Sequence, residues 1–317
     1  MTNSERMAAA PIVSRPVKRT RHAIDGVLLL DKPVGPSSSR VLGHVKHLLS
    51  AAKAGHGGTL DPMASGLLPI MFGEATKYAA EGLDADKTYI ADIGLGSKTS
   101  TGDREGEVIA QAELPSGLST EQVTDVLARF VGPQMQMPPL YSAIKKDGRP
   151  LYAYARAGQS VDREPRSIVI HELSLLEMHL PVLRVRVTCS KGTYVRTLAE
   201  DIGAALGLPA HLHGLRRVGV GSIVAQDMVA LADFEQATDQ DRLLLLKPVD
   251  WLIRDWPQVV LGEAQSRRFV HGQSVMLAES VPPAVVRVKT QAGEFIGTGR
   301  VDTHHLLNPE RVRVLSS

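Results

Sequence analysis

The stretch "VLRVRVTCS", residues 182–190, alternates without interruption. Leu183, Val185, Val187 and Cys189 fall on one side of an extended chain, and Arg184, Arg186, Thr188 and Ser190 on the other. Such period-two patterning specifies a strand with one apolar and one polar face. The run before it, "SIVIHELSLLEMHL", also reads as a strand. Cys189 sits on the apolar face and is a core residue, as free cysteines commonly are. It is the sole cysteine of the chain, which excludes an intramolecular disulfide framework and a multi-cysteine zinc site. Stability has to come from a buried core. The 317 residues, 43% apolar and 22% charged, suffice for about two domains of roughly 150 residues each.

Other elements follow from local pattern. "GVLLLDKP" is a short apolar strand stopped by Pro33. In "SSSRVLGHVKHLLSAAK", Val41, Leu42, Val45, Leu48 and Leu49 recur at helical spacing behind capping serines. A glycine-rich loop follows, and then "LLPIMFG" as a buried strand, "EATKYAAEGL" as a helix and "KTYIADIGLG" as a strand. "STEQVTDVLARFVG" opens with a capping box, Ser119 to Gln122. "GTYVRTLAEDIGAALG" is a helix closed by Gly207. Residues 233–256 read as a last helix and a connector. "AVVRVKT", "EFIGTGRVD" and "RVRVLSS" read as the short strands of a small all-β module. Residues 1–24 carry the cluster "RPVKRTRH" and read as a disordered basic tail able to touch phosphates.

Net charge is only +2, so the distribution of charge matters more than its total. No apolar run approaches the ~20 residues of a membrane-spanning helix, and the start lacks the apolar segment of a secretory signal. A cytoplasmic protein without membrane attachment is expected.

Chemistry concentrates in three places. The first is "GHGGTLDPMASGLLP", which sets one carboxylate, Asp61, among small residues. A carboxylate there can be a nucleophile, a general base, a metal ligand or a turn cap. No second acid lies within the motif, which disfavours a local metal loop. The second is "SKGTYVRTLAEDIG", where Tyr194 and Arg196 lie two apart. An arginine can hold a carboxylate by paired N–H bonds and keep it ionised. The third is a set of basic residues, Lys32, Lys77, Arg149, Arg156, Arg166, Arg216 and Arg217, several near tyrosines in stretches such as "KKDGRPLYAYARAG" and "HGLRRVG". Cations interleaved with aromatics suit looped RNA, and scattered solvated charges are the plain alternative. Phosphate-loop, dinucleotide, zincin and nucleophile-elbow signatures are absent.

All of these residues but Arg166 lie in seven blocks, in order from about residue 26 to 222: "GVLLLDKPVGPSSS", "AGHGGTLDPMASGLLPIMFGEATK", "DKTYIADIGLG", "TSTGDREG", "PPLYSAIKKDGRPLYAYARAG", "SKGTYVRTLAEDIG" and "HLHGLRRVGVG". The blocks closely resemble the TruB family of bacterial tRNA pseudouridine-55 synthases. The resemblance implies a mixed α/β (α+β) catalytic domain, residues 25–250, on a central, largely antiparallel sheet. It also implies a PUA-like RNA-binding domain at residues 257–317. It implies isomerisation of uridine 55 in the T loop of tRNA, with no cofactor and no metal. Asp61 would be the reacting acid and Arg196 would keep it ionised. Tyr89 would stack on the base and help remove the final proton. His56 would fill the space of the flipped uridine, and Tyr194 and Leu215 would line the pocket. Lys32 and Lys77 would support the site, with Asp103 a further candidate. One departure stands out: Gly57 follows His56 where the family usually has threonine, which frees the loop at that point.

Two other functions fit some of the same features. A non-catalytic tRNA-binding module would use the basic loops and the C-terminal module alone. A carboxylate-nucleophile hydrolase would release base or sugar, but lacks a second local acid. The stand-alone blocks favour a guide-free monomer over a synthase directed by a guide RNA.

Overall fold

The computed structural model describes residues 20–313 apart from 143, 160 and 279, and only the backbone at 145, 150, 152, 155 and 156. Most of the expected tail and the Arg156 side chain lie outside the described residues. Backbone pairing is already present before residue 25: His22 N–H donates to the Ser50 carbonyl (2.8 Å), and Ala52 N–H to that of His22 (2.9 Å).

A ten-stranded sheet organises the larger part. Its order is Val229–Ala230, Gly26–Lys32, Ala64–Phe72, Ala210–Val220, Lys87–Leu95, Val182–Cys189, Arg166–His179, Gly132–Gln136. Two short strands, Ala54–His56 and Ile223–Val224, pair beside Ala64–Phe72 and Ala210–Val220. The ladders are antiparallel except where Gly26–Lys32 meets Val229–Ala230 and where Ala64–Phe72 meets Ala210–Val220.

The alternating strand pairs as its pattern demands. Leu183, Val185, Val187 and Cys189 enter a core with Ile93, Ile168 and Ile170, while Arg184 faces out and pairs with Asp92. Two helices cover that core. Thr120–Ala128 begins with the expected capping box and contributes Val123, Val126 and Leu127; Val195–Ala205 contributes Leu198, Ala199 and Ile202. Gly207 follows at φ +76°, a left-handed exit that glycine makes without strain. Helix Ser38–Leu48, capped by Ser37, packs Val41 and Val45 on Leu28, Leu30, Leu68 and Phe72.

Several elements differ from the sequence reading. "EATKYAAEGL" is a 3-10 turn, Gly73–Tyr78, followed by the short helix Ala79–Asp84. Residues 233–256 hold two short helices, Leu231–Gln236 and Asp239–Leu244, and a 3-10 turn. "HLHGLRRVGVG", read as a basic segment, is the core of the central strand Ala210–Val220.

A second, five-stranded sheet runs Gln258–Leu261, Ala284–Thr290, Phe295–Val301, Leu306–Val312, Val275–Met276. It carries one helix, Glu263–Val270, whose Phe269 is buried on Val286, Val288 and Ile296. The last strand among the described residues is Leu306–Val312, which includes the start of "RVRVLSS"; residues 314–317 of that stretch lie outside the described residues. It accommodates Pro309 at a bulge opposite Gly299, where proline's missing N–H is tolerated. Asp250 of the larger part, buried, binds Arg287 at 3.0 Å and Lys289 at 3.4 Å. Tyr78 meets Phe295 edge-on, with centroids 5.7 Å apart. Among the described residues no helix is long and apolar enough to cross a membrane.

Candidate active site

Sheet register assembles the floor of the site. Lys32 faces Gly66 across one ladder, Gly66 faces Arg217 across the next, and Arg217 faces Tyr89 across a third. Paired residues share a face, so four neighbouring strands present these residues in one transverse row. Leu215, two residues before Arg217, lies on the same face between Ala64 and Ala91. Arg216 lies on the opposite face and makes a two-pronged pair with Asp31 at 3.0 and 2.7 Å. Gly66 cannot be exchanged in this row. It has φ +101°, and a Cβ there would fall 2.2 Å from the Arg217 carbonyl oxygen.

Asp61 stands above the row, in the loop between Ala54–His56 and Ala64–Phe72. The loop is tied at several points. Ala64 N–H donates to the Asp61 carbonyl (3.1 Å), and Gly35 N–H to that of Pro62 (2.8 Å). The Ser38 hydroxyl both donates to and accepts from the Leu60 backbone at 2.8 Å. Fully buried Lys32 donates from Nζ to the carbonyls of Ala64 (2.7 Å) and Pro33 (2.9 Å). The Asp61 side chain is left 41% exposed at the mouth.

Arg196 is the hub. It lies in the first turn of Val195–Ala205 and is buried. Nη2 stands 3.1 Å from Asp61 Oδ2 and donates to the Tyr141 carbonyl at 2.8 Å. Nη1 donates to the Thr101 carbonyl at 3.2 Å and lies 3.7 Å from Asp103 Oδ2. One guanidinium therefore knots three loops around the Asp61 carboxylate. Its helix start is held in turn by Gln136, buried, whose amide accepts from Tyr194 N–H (2.8 Å) and donates to Tyr194 C=O (3.1 Å).

Two effects oppose each other at Asp61. Burial raises the Asp61 carboxyl above its ordinary value, and the attraction of Arg196 offsets this only in part. Burial also lowers the Lys32 ammonium to about 8, against the pull of Asp61.

The remaining candidates separate. Tyr89 is buried; burial raises its phenol, and the adjacent Arg217 cation opposes that rise. His56 ends its short strand half-buried. Its Nδ1 is buried without a partner among the described residues, and burial, then Arg217, lower its basicity. Tyr194 is the N-cap residue of the Arg196 helix. Leu215 packs with Leu60, Met63 and Tyr89. Asp103 is 4% exposed and turned toward Arg196, so it stands behind the arginine rather than on an open wall. Lys77 is not gathered here: its Nζ binds Glu74 at 2.6 Å and the Val312 carbonyl at 2.9 Å, a tie between the two sheets.

Sequence reasoning placed Arg217 among possible phosphate contacts, and it missed Gln136. Arg217 is 1% exposed. It donates from Nε to the Leu67 carbonyl (2.6 Å) and from Nη2 to that of Gly58 (3.1 Å). A buried amide and a buried guanidinium announce themselves only through these partners.

Comparison with known proteins agrees with this architecture. The family described as "TruB family pseudouridylate synthase (N terminal domain)" matches residues 46–195. "tRNA pseudouridylate synthase B C-terminal domain" matches 196–254, and "Pseudouridine synthase II TruB, C-terminal" matches 257–312. The "tRNA pseudouridine synthase B" of Burkholderia mallei is 50% identical over 308 residues, 95% of this chain and 98% of that protein. That of Ralstonia nicotianae is 51% identical over 286 residues, 89% and 90% of the two chains. Among solved structures, "Crystal Structure of a Cbf5-Nop10-Gar1 Complex" superposes with TM-score 0.66 at 26% identity, over 90% of this chain and 84% of that one. Three consecutive family matches and half-identity along nearly the whole length leave one conclusion: the chain belongs to the TruB family of pseudouridine synthases.

Proposed function

We propose that this chain converts uridine 55 in the T loop of tRNA to pseudouridine, acting as a guide-free monomer with Asp61 as the reacting group. The observation that carries the reading is the half-open Asp61 carboxylate, held 3.1 Å from a buried arginine above a floor that includes Tyr89 and Leu215. The reaction breaks the N1–C1′ bond, turns the base and forms a C5–C1′ bond, while C5 loses a proton and N1 gains one, so it balances without an electron carrier or cofactor. The target carbon is inaccessible while the uridine is stacked, so the base has to be flipped into a pocket. His56, whose Nδ1 has no partner among the described residues, suits the place the uridine leaves. Tyr89 and Leu215 wall the flipped base, and Tyr194 closes the side. Arg196 orients Asp61, and Lys32 holds the strand that follows it. The names of the relatives, tRNA pseudouridine synthases, support the same substrate.

The test is conversion in an unmodified tRNA transcript, mapped to single nucleotides, by wild type and Asp61→Asn in EDTA. Conversion confined to the T loop and to wild type is expected. Tight tRNA binding without conversion by wild type would replace this reading with a binding module. Release of free uracil would replace it with a hydrolase.

A further inference from the structure

Lys77 has no part in the proposed reaction, yet it opens a chain of contacts that ends behind His56. It donates to the Val312 carbonyl of the second sheet (2.9 Å) and to Glu74 (2.6 Å). Glu74 N–H donates to Asp25 (2.9 Å), whose other carboxylate oxygen lies 3.4 Å from Arg313, just past the second sheet's last strand. Buried Tyr78 comes next and meets Phe295 of the second sheet. This turn runs directly into helix Ala79–Asp84, whose one buried residue is Gly82. A second arm starts at Asp250, which binds Arg287 and Lys289 and leads into the turn that holds Leu252. The two arms converge on Gly82. A Cβ there would stand 3.4 Å from Gly57 Cα and 3.7 Å from Leu252 Cδ1. Gly57 is itself buried and follows His56 in the chain.

We infer that the Gly57–Gly82 contact is the joint through which the second sheet sets the position of the His56 corner, with Lys77 as the positioning residue. Little else fixes the helix that carries Gly82. Six residues are too few for a helix to hold itself, and no side chain caps its start. A cleft of about 180 Å³, lined by Glu81, Gly82, Ala85, Leu252 and Trp256 among others, lies beside it. Lys87 of the first sheet holds only its far end, at the carbonyls of Leu83 (2.5 Å) and Ala85 (2.6 Å). The ties to the second sheet therefore decide where Gly82 stands. Two backbones in contact, with no side chain between them, pass a displacement on without slack. The effect on rate rests on the proposed isomerisation: His56 has to enter the space of the flipped uridine, and a small misplacement of a positioned group slows a reaction steeply. The effect on His56 itself does not depend on that reading.

The test reads the His56 imidazole resonances, assigned with His56→Gln, beside single-turnover conversion of saturating tRNA transcript. Lys77→Met cuts the tie and Lys77→Arg keeps a donor there. Gly82→Val wedges methyl groups against Gly57 from within the helix, and it carries the test should Lys77→Met fail to fold. Lys77→Met and Gly82→Val are each expected to shift the His56 resonances and leave those of exposed His179 in place. Each should slow conversion about 10- to 100-fold with tRNA affinity unchanged. Lys77→Arg should keep most of the rate, and the double variant should be little slower than the worse single one. His56 resonances that stay put in a folded variant, losses that multiply, or a loss confined to tRNA affinity would overturn the inference and leave the isomerase reading intact. Absence of pseudouridine with wild type would instead remove the isomerase reading, and the His56 resonances would then decide the joint by themselves.

Discussion

Replacing Arg196 with methionine removes the guanidinium 3.1 Å from the Asp61 carboxylate. At an effective dielectric of about 20, unit charges about 4 Å apart attract by about 4 kcal/mol. At roughly 1.4 kcal/mol per pH unit this would move the carboxyl by about 3 units. The Asp61 side chain is 41% exposed, and water screens the pair, so about 1–2 units is expected. The direction is upward, because burial already raises this carboxyl and Arg196 is the leading group that opposes it. In the proposed reaction ionised Asp61 is the reactive form, and it exists above its pKa. The acid limb of single-turnover conversion therefore moves to higher pH by about 1–2 units in Arg196→Met. The assay is conversion of unmodified tRNA from acid to neutral pH, each rate scaled to its own plateau, with circular dichroism at every pH. Scaling separates the shifted limb from a lower plateau, which also contains the lost ties to Tyr141 and Thr101. A folded variant whose limb stays in place, or moves toward acid, would refute the electrostatic reasoning.

Asp61→Asn should be more stable than wild type at pH 7 by about 0.5–1 kcal/mol, since the raised carboxyl marks a charge that burial disfavours and solvent only partly relieves. The gain should fade as acid protonates Asp61 in both states; urea midpoints at two pH values decide, and a less stable variant at pH 7 would contradict it. Gly66→Ala should lose about 3 kcal/mol or more, because its Cβ meets backbone at 2.2 Å. Gly57→Ala should instead gain about 0.4–1 kcal/mol, since its Cβ would sit 3.6–3.8 Å from Gly82 and Pro69 at ordinary contact. Thermal melts of the pair would expose an error if both shifted the same way. Gln136→Leu takes the partner from the Tyr194 N–H and leaves its carbonyl only the Leu198 N–H, and should cost about 1–3 kcal/mol; an unchanged denaturation midpoint would show that Gln136 does not hold the Arg196 helix.

Local signals carried some elements without help. The alternation at 182–189, the Ser119–Gln122 box and the exit at Gly207 each satisfy a backbone requirement within a few residues, and each is where the sequence puts it. The central strand Ala210–Val220 was illegible for a physical reason. Bulges between Leu212 and Gly214 and between Arg217 and Gly219 shift its register twice, and a bulge breaks the period-two pattern by which strands are recognised. Two arginines inside it then look like surface charge, although Arg217 is buried and Arg216 is paired on the other face. Lys77 misled in the same way, because a cation committed to Glu74 and a distant carbonyl carries the same letter as one facing a substrate.

The sequence by itself determined which residues could do chemistry: a lone acid in a loop of small residues, an arginine and tyrosine two apart, and motifs in a specific order. Tertiary structure decided how they act. Sheet register, which no short segment encodes, set Lys32, Gly66, Arg217 and Tyr89 in one row. Burial then turned identical cations to different ends, because a charge removed from water is governed by the few partners within reach.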